Sequence, residues 1–129
     1  MLNPDSVGRT FEGAELVTVS QSEINAFCAV LSESNTTVAP PTFSIRITLE
    51  QSQEILSSTE IGLDWSRVVH GDQRFEIKRP IIAGDSFKVS STIESYKVSS
   101  GNEIVSVRSD LYSKSELVVS TWSTLVVRA

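Results

Sequence analysis

Apolar and polar positions alternate through the second half of the chain. Phe75 and Ile77 alternate with Arg74, Glu76 and Lys78; Phe87, Val89 and Ile93 with Lys88, Ser90, Thr92 and Glu94; Val105, Val107 and Leu111 with Ser106, Arg108 and Asp110. A period of two sends successive side chains to opposite faces, so three half-buried strands are expected from Gly71 onward. Turn chemistry separates them. Arg-Pro-Ile-Ile-Ala-Gly-Asp at 79 to 85 turns the chain, Ser-Ser-Gly-Asn at 99 to 102 reads as a hairpin, and Lys114 with Ser115 reads as another. The final segment, Leu117 to Val127, is apolar at both parities. Such a strand is central in its sheet, or is covered on its second face by helix or by another subunit.

The first half changes period. Ser20 and Glu23 have the spacing of a capping box, with Val19 and Ile24 placed as a hydrophobic staple. Ile24, Phe27, Cys28 and Leu31 then recur at i, i+3, i+4 and i+7, which predicts a helix from Gln21 to about Ser32 lying on a core. Cys28 sits on that stripe and reads as a small core hydrophobe. Residues 42 to 57 fit either period, because Phe43, Ile45, Ile47 and Leu49 alternate while Ile45, Leu49 and Leu56 share a helical face. Pro40 and Pro41 favour a helix that starts just after them, with no breaker before Gly62. The fold class is therefore α+β, an antiparallel sheet packed on helix.

Composition narrows the chemistry. At 129 residues the chain is expected to be one domain, residues 1 to 129, with no repeat and no linker. The 22 serines interleave with Val, Ile, Leu and Phe, as the wet faces of strands do. A single cysteine excludes an internal disulfide, and His70, the only histidine, leaves no Cys/His set for structural zinc; no metal or cofactor is expected. Net charge is −5 and the 11 basic residues are scattered, which argues against nucleic acid. No stretch has the apolar length of a signal peptide or a membrane span, so a cytoplasmic location is expected.

Three segments carry a resemblance. Ala39-Pro-Pro-Thr-Phe43, Val68 to Phe87, and the terminal Trp122-Ser-Thr-Leu-Val-Val-Arg128 resemble, in that order along the chain, the MaoC-like hot-dog dehydratases and hydratases. The likeness is strongest to the non-catalytic subunit of actinobacterial (3R)-hydroxyacyl-ACP dehydratases, a dehydratase-like domain of the FAS1 type. It implies a sheet curled round a central helix, here Thr42 to about Ser57, and continued across a dimer. It also implies an acyl thioester substrate on CoA or acyl carrier protein, and reversible hydration of a 2-enoyl bond. The partner would be a catalytic hot-dog homologue in a heterodimer, or the chain itself in a homodimer. Thr42, Phe43 and Ile47 would face the acyl chain.

The same resemblance exposes two deficits. Active relatives carry an Asp and a His in a segment reading roughly Ser-Gly-Asp-x-Asn-Pro-x-His after the first helix, where the pair holds and activates water. The matching run here is Leu31-Ser-Glu-Ser-Asn-Thr-Thr-Val38, with Ser34 at the acid's place and no histidine. At the start of the central helix, where a Gly N–H would donate to the thioester oxygen, stands Pro41, which has no N–H. No catalytic residue is therefore expected in this chain. Two rival readings remain: a homodimeric hydratase using His70 with Glu33 or Asp72, and a thioester-binding or structural module with no reaction. His70 and Asp85 read first as residues that fix local backbone, and Trp65 and Trp122 as core or interface. A dimer is expected from the doubly apolar last strand.

Overall fold

Ser100 with Gly101 (φ 50° and 79°) and Lys114 with Ser115 (φ 49° and 69°) are two consecutive pairs at positive φ. That is the type I′ arrangement, whose twist suits a two-residue hairpin. In the computed structural model, which describes residues Met1–Ala129, these turns join β4 (Ser86–Ser99) to β5 (Asn102–Ser113) and β5 to β6 (Glu116–Val127). The sheet is antiparallel, in the order β1 (Thr10–Glu12), β4, β5, β6, β3 (Val68–Ile77), with β2 (Val17–Thr18) also paired to β4. Strand β6 is therefore central, between β5 and β3, as its composition requires. Strand β3 is an edge: it pairs with β6 on one side and with nothing on the other.

Both helices form where the sequence places them, with shorter ends. The first, α1 (Gln21–Val30), starts in a complete capping box, Ser20 accepting from the Glu23 N–H while the Glu23 carboxylate accepts from the Ser20 N–H. It stops two residues before Ser32 because Ser32 takes φ 56°. The Ser32 N–H then donates to Ala29 O and the Glu33 N–H to Cys28 O, a Schellman closure made without glycine. The second helix, α2 (Ile45–Leu56), follows a tight turn over residues 41 to 44 rather than starting at Thr42.

Helix α2 spans two apolar clusters. One gathers Phe43 and Ile47 with Val89, Leu111 and Val119; the other gathers Leu56 with Ile93, Val105 and Leu125. The register explains the division. Val89, Leu111 and Val119 are mutual neighbours across the sheet, and the next row on the same face is Ser91, Ser109 and Thr121. Ser44, Thr48 and Ser52, four residues apart on one face of α2, are buried as well. Ser91 and Ser109 bond each other at 2.9 Å, but the hydroxyls of Ser44 and Thr48 are buried with no partner. An orphaned buried hydroxyl costs about 1–3 kcal/mol, whereas an apolar group of the same shape costs nothing there. Thr48→Val is thus expected to stabilise the fold by about 1 kcal/mol, read as a higher melting temperature; a lower one would show that the hydroxyl is bonded in solution.

Trp122 lies on the opposite face of β6, and its ring is covered from within the chain. The guanidinium of Arg74 sits 4.0 Å from its centroid and that of Arg108 5.3 Å. Trp65 packs on the second cluster.

Candidate functional site

The loop that would hold a catalytic acid and histidine is closed upon itself. The Glu33 carboxylate accepts from the Asn35 N–H at 2.9 Å, and Asn35 Oδ1 accepts from the N–H and hydroxyl of Thr37 at 3.1 and 2.6 Å. These are the local side-chain turns that Asn and acidic residues favour, and they occupy the carboxylate with its own backbone. Ser34 is exposed and makes no hydrogen bond. The loop rejoins the body where Ala39 N–H donates to Ile81 O at 2.7 Å. Beyond Pro41 the Phe43 N–H is taken by Pro40 O, while the N–H groups of Thr42 and Ser44 meet no backbone acceptor, as expected of a helix start.

Of the three residues read as acyl-facing, Thr42 is exposed and Phe43 is not. Phe43 is 0% exposed and meets Phe27 edge-to-face with centroids 5.4 Å apart. Ile47 is buried too, at the floor of a groove of about 590 Å³ between the β1–β2 loop and the two helices. Glu15, Glu23, Glu50 and Glu54 line that groove with Arg46, which is held by Glu23 at 2.6 Å. The Ser20 hydroxyl, with Arg46, keeps the Glu23 carboxyl below the usual carboxylate range. The sequence reading did not pick out this groove, because its acids come from two helices and a loop.

His70 lies inside β3, not just ahead of it. The pairing runs His70 to Leu125, then Asp72 to Thr124, so the strand bulges at Gly71. Leu125 faces the core, whereas Thr124 pairs with Ser106 on the outer face. The bulge therefore turns the His70 and Asp72 side chains to opposite sides of the sheet. His70 Nε2 lies 3.1 Å from the main-chain oxygen of Asp72, and no hydrogen bond joins His70 to the Asp72 carboxylate or to Glu33.

Asp85 anchors the turn that ends in Ala-Gly-Asp. Arg79 grips it with two hydrogen bonds, Nη1 to Oδ2 at 2.9 Å and Nη2 to Oδ1 at 3.0 Å, and the Ile82 N–H adds a third at 2.9 Å. Burial alone would raise the Asp85 carboxyl, but these hydrogen bonds and the Arg79 charge hold it below the usual range. A depressed folded value means that the stabilisation is present above the unfolded value of ~3.9 and is lost as pH falls through the folded one. Asp85→Asn is accordingly expected to cost about 1–2 kcal/mol at pH 7, an allowance that includes the partial exposure of Arg79. In thermal melts the gap between the two proteins should shrink below about pH 4. A gap that persists at pH 3 would assign the loss to shape rather than charge.

An antiparallel sheet wrapped on a helix whose first turn adjoins this loop defines a hot-dog domain. One chain of the HadBC complex, a (3R)-hydroxyacyl-ACP dehydratase from Mycobacterium tuberculosis, superposes with a TM-score of 0.82 at 22% identity over 95% of this chain and 97% of that one. HtdX of the same organism superposes at 0.81 with 15% identity, over 92% of this chain and 50% of that one. At such identities the likeness concerns the fold. In sequence, a UPF0336 protein of Streptomyces coelicolor is 35% identical over 144 residues, covering 99% of this chain and 96% of its own. Another, from Thermobifida fusca, is also 35% identical, covering 98% and 94%. The chain belongs to the family described as FAS1-like, dehydratase domain region, whose profile matches residues 5–121.

Proposed function

We propose that this chain is the non-catalytic subunit of an (R)-specific 3-hydroxyacyl-thioester dehydratase, working on acyl carrier protein or CoA thioesters beside a catalytic hot-dog homologue. The observation that carries the reading is the closed loop after α1. Its one carboxylate is engaged by Asn35, it holds no histidine, and the only imidazole of the chain lies on β3 against a main-chain oxygen. Proline at 41 also removes an amide that could have donated to a thioester oxygen.

The open edge of β3 supports the pairing half of the proposal. Ten residues, Val68–Ile77, run along the border of the sheet with exposed Val69 and Ile77. A bare edge of that length invites a strand from another chain. Co-expression with a homologue that carries the intact Asp and His should yield a one-to-one complex on sedimentation. A chain that instead forms only homodimers in the presence of that homologue, and hydrates enoyl thioesters by itself, would favour the rival enzyme built on His70.

A further inference from the structure

Helix α1 has a second apolar face, and nothing in the chain covers it. Ile24 and Cys28 are fully buried, as the spacing of the core stripe predicts, but Leu31 at the end of that stripe is 52% exposed. Val30 beside it is 84% exposed, more than any other large apolar side chain of the protein. Ala26, Phe27 and Val30 lie three, four and seven residues after Glu23 and so share a helical face with it. With Ser22 and Arg46 they line a shallow groove of about 370 Å³. That groove runs into the acidic one above Ile47, because Glu23 and Arg46 line both. Glu50 and Glu54 stand one helical turn apart on α2, with Glu15 facing them from the β1–β2 loop. All three are exposed and none has an ion-pair partner, since the one cation of the trough, Arg46, is held by Glu23.

We propose that this trough docks a basic, amphipathic segment of another protein, with Lys or Arg side chains on Glu15, Glu50 and Glu54 and a large apolar side chain over Val30. The uncovered face of α1 calls for an apolar partner, and charge decides which kind. Four carboxylates against one guanidinium leave the trough at −3. An acidic segment is repelled there, and a second copy of this chain, itself at −5, brings mostly like charge. Position separates this partner from the one assigned to β3. The β1–β2 loop that walls the trough belongs to the far end of the strand order, with β4, β5 and β6 lying between β1 and β3. The trough is therefore free whether or not a homologue completes β3, and its occupant is a third protein.

The test titrates the full chain with three synthetic peptides of about eight residues, long enough when extended to span both grooves. One is built of Lys and Leu, the second has every Leu replaced by Ser, and the third has every Lys replaced by Glu. Methyl resonances of Leu16, Ala26, Val30 and Ile47 should shift with the first peptide and not with the third, and the second should bind at least fivefold more weakly than the first. Affinity for the first should fall about fivefold or more between roughly 0.05 and 0.5 M salt. Glu50→Gln combined with Glu54→Gln should weaken it about three- to tenfold, and Val30→Ser by a similar factor. These side chains are exposed, so the fold is kept. Glu94→Gln, in the separate groove beside Trp122, should bind as the unaltered chain does. Equal binding of the acidic peptide, shifts centred away from the trough, or full affinity in both trough variants would overturn the proposal. The titration is repeated with the catalytic homologue added: unchanged binding supports a third protein, and displacement of the peptide would refute it.

Discussion

Purified alone, the chain is expected to leave crotonyl-CoA and longer 2-enoyl thioesters unhydrated. A missing acid/base catalyst removes a factor of about 10² to 10⁴, and a missing oxyanion donor about 10² to 10³ more. The product lies below what the absorbance of the enoyl thioester can follow. Mixed or co-expressed with a homologue that carries the Asp and His, the same preparation should hydrate at a rate set by that partner. Robust hydration by the isolated chain, with host hydratase excluded by a mock purification, would refute the non-catalytic reading. His70→Ala would then identify the base.

The second large effect is on stability. Phe43→Ala should lower it by about 3–5 kcal/mol, because the ring is fully buried, packs edge-on against Phe27 and fills the heart of the first cluster. For a chain of this size that is a fall in melting temperature of roughly 10 °C or more. The opposite result, an unchanged melt with altered preference among acyl lengths, would return Phe43 to the acyl wall that the family resemblance implies. The experiment separates a residue that touches substrate from one that holds up the helix on which substrate-facing residues stand.

The parts of the fold legible in the sequence are those where one rule acts alone. Ser20 and Glu23 announce the start of α1 because a capping box needs only two residues at a fixed spacing, and alternation marks β4 over residues 87–94 and β5 over residues 105–111. The end of α1 was less legible, since Ser32 adopts a left-handed conformation that glycine usually signals. Strands β1 and β2, three and two residues long, are too short to show any period. The bulge at Gly71 could not be placed by alternation, and it decides on which face His70 lies.

The site was legible in its deficits and not in its surfaces. That the loop of residues 31 to 38 holds no histidine is read directly from the sequence, and the structure adds only that the Glu33 carboxylate accepts from the Asn35 N–H. The Arg-Pro and Ala-Gly-Asp residues read first as turn formers, and their six-residue spacing becomes meaningful once Arg79 is seen gripping Asp85. The doubly apolar last strand was expected to be central or covered on its second face; it is central, and Arg74 and Arg108 reach over Trp122 from the two neighbouring strands, which no local pattern records.

The open border of β3 has a consequence for how a cell handles this protein. Along Val68–Ile77 the main-chain groups turned away from β6 have no strand partner, and the charged residues of the strand are Asp72, Arg74 and Glu76. An unmated copy is therefore a template for strand-by-strand growth into aggregate. If the proposed catalytic homologue completes that border, synthesis in excess of it would be hazardous, and supply matched copy for copy is what this architecture favours.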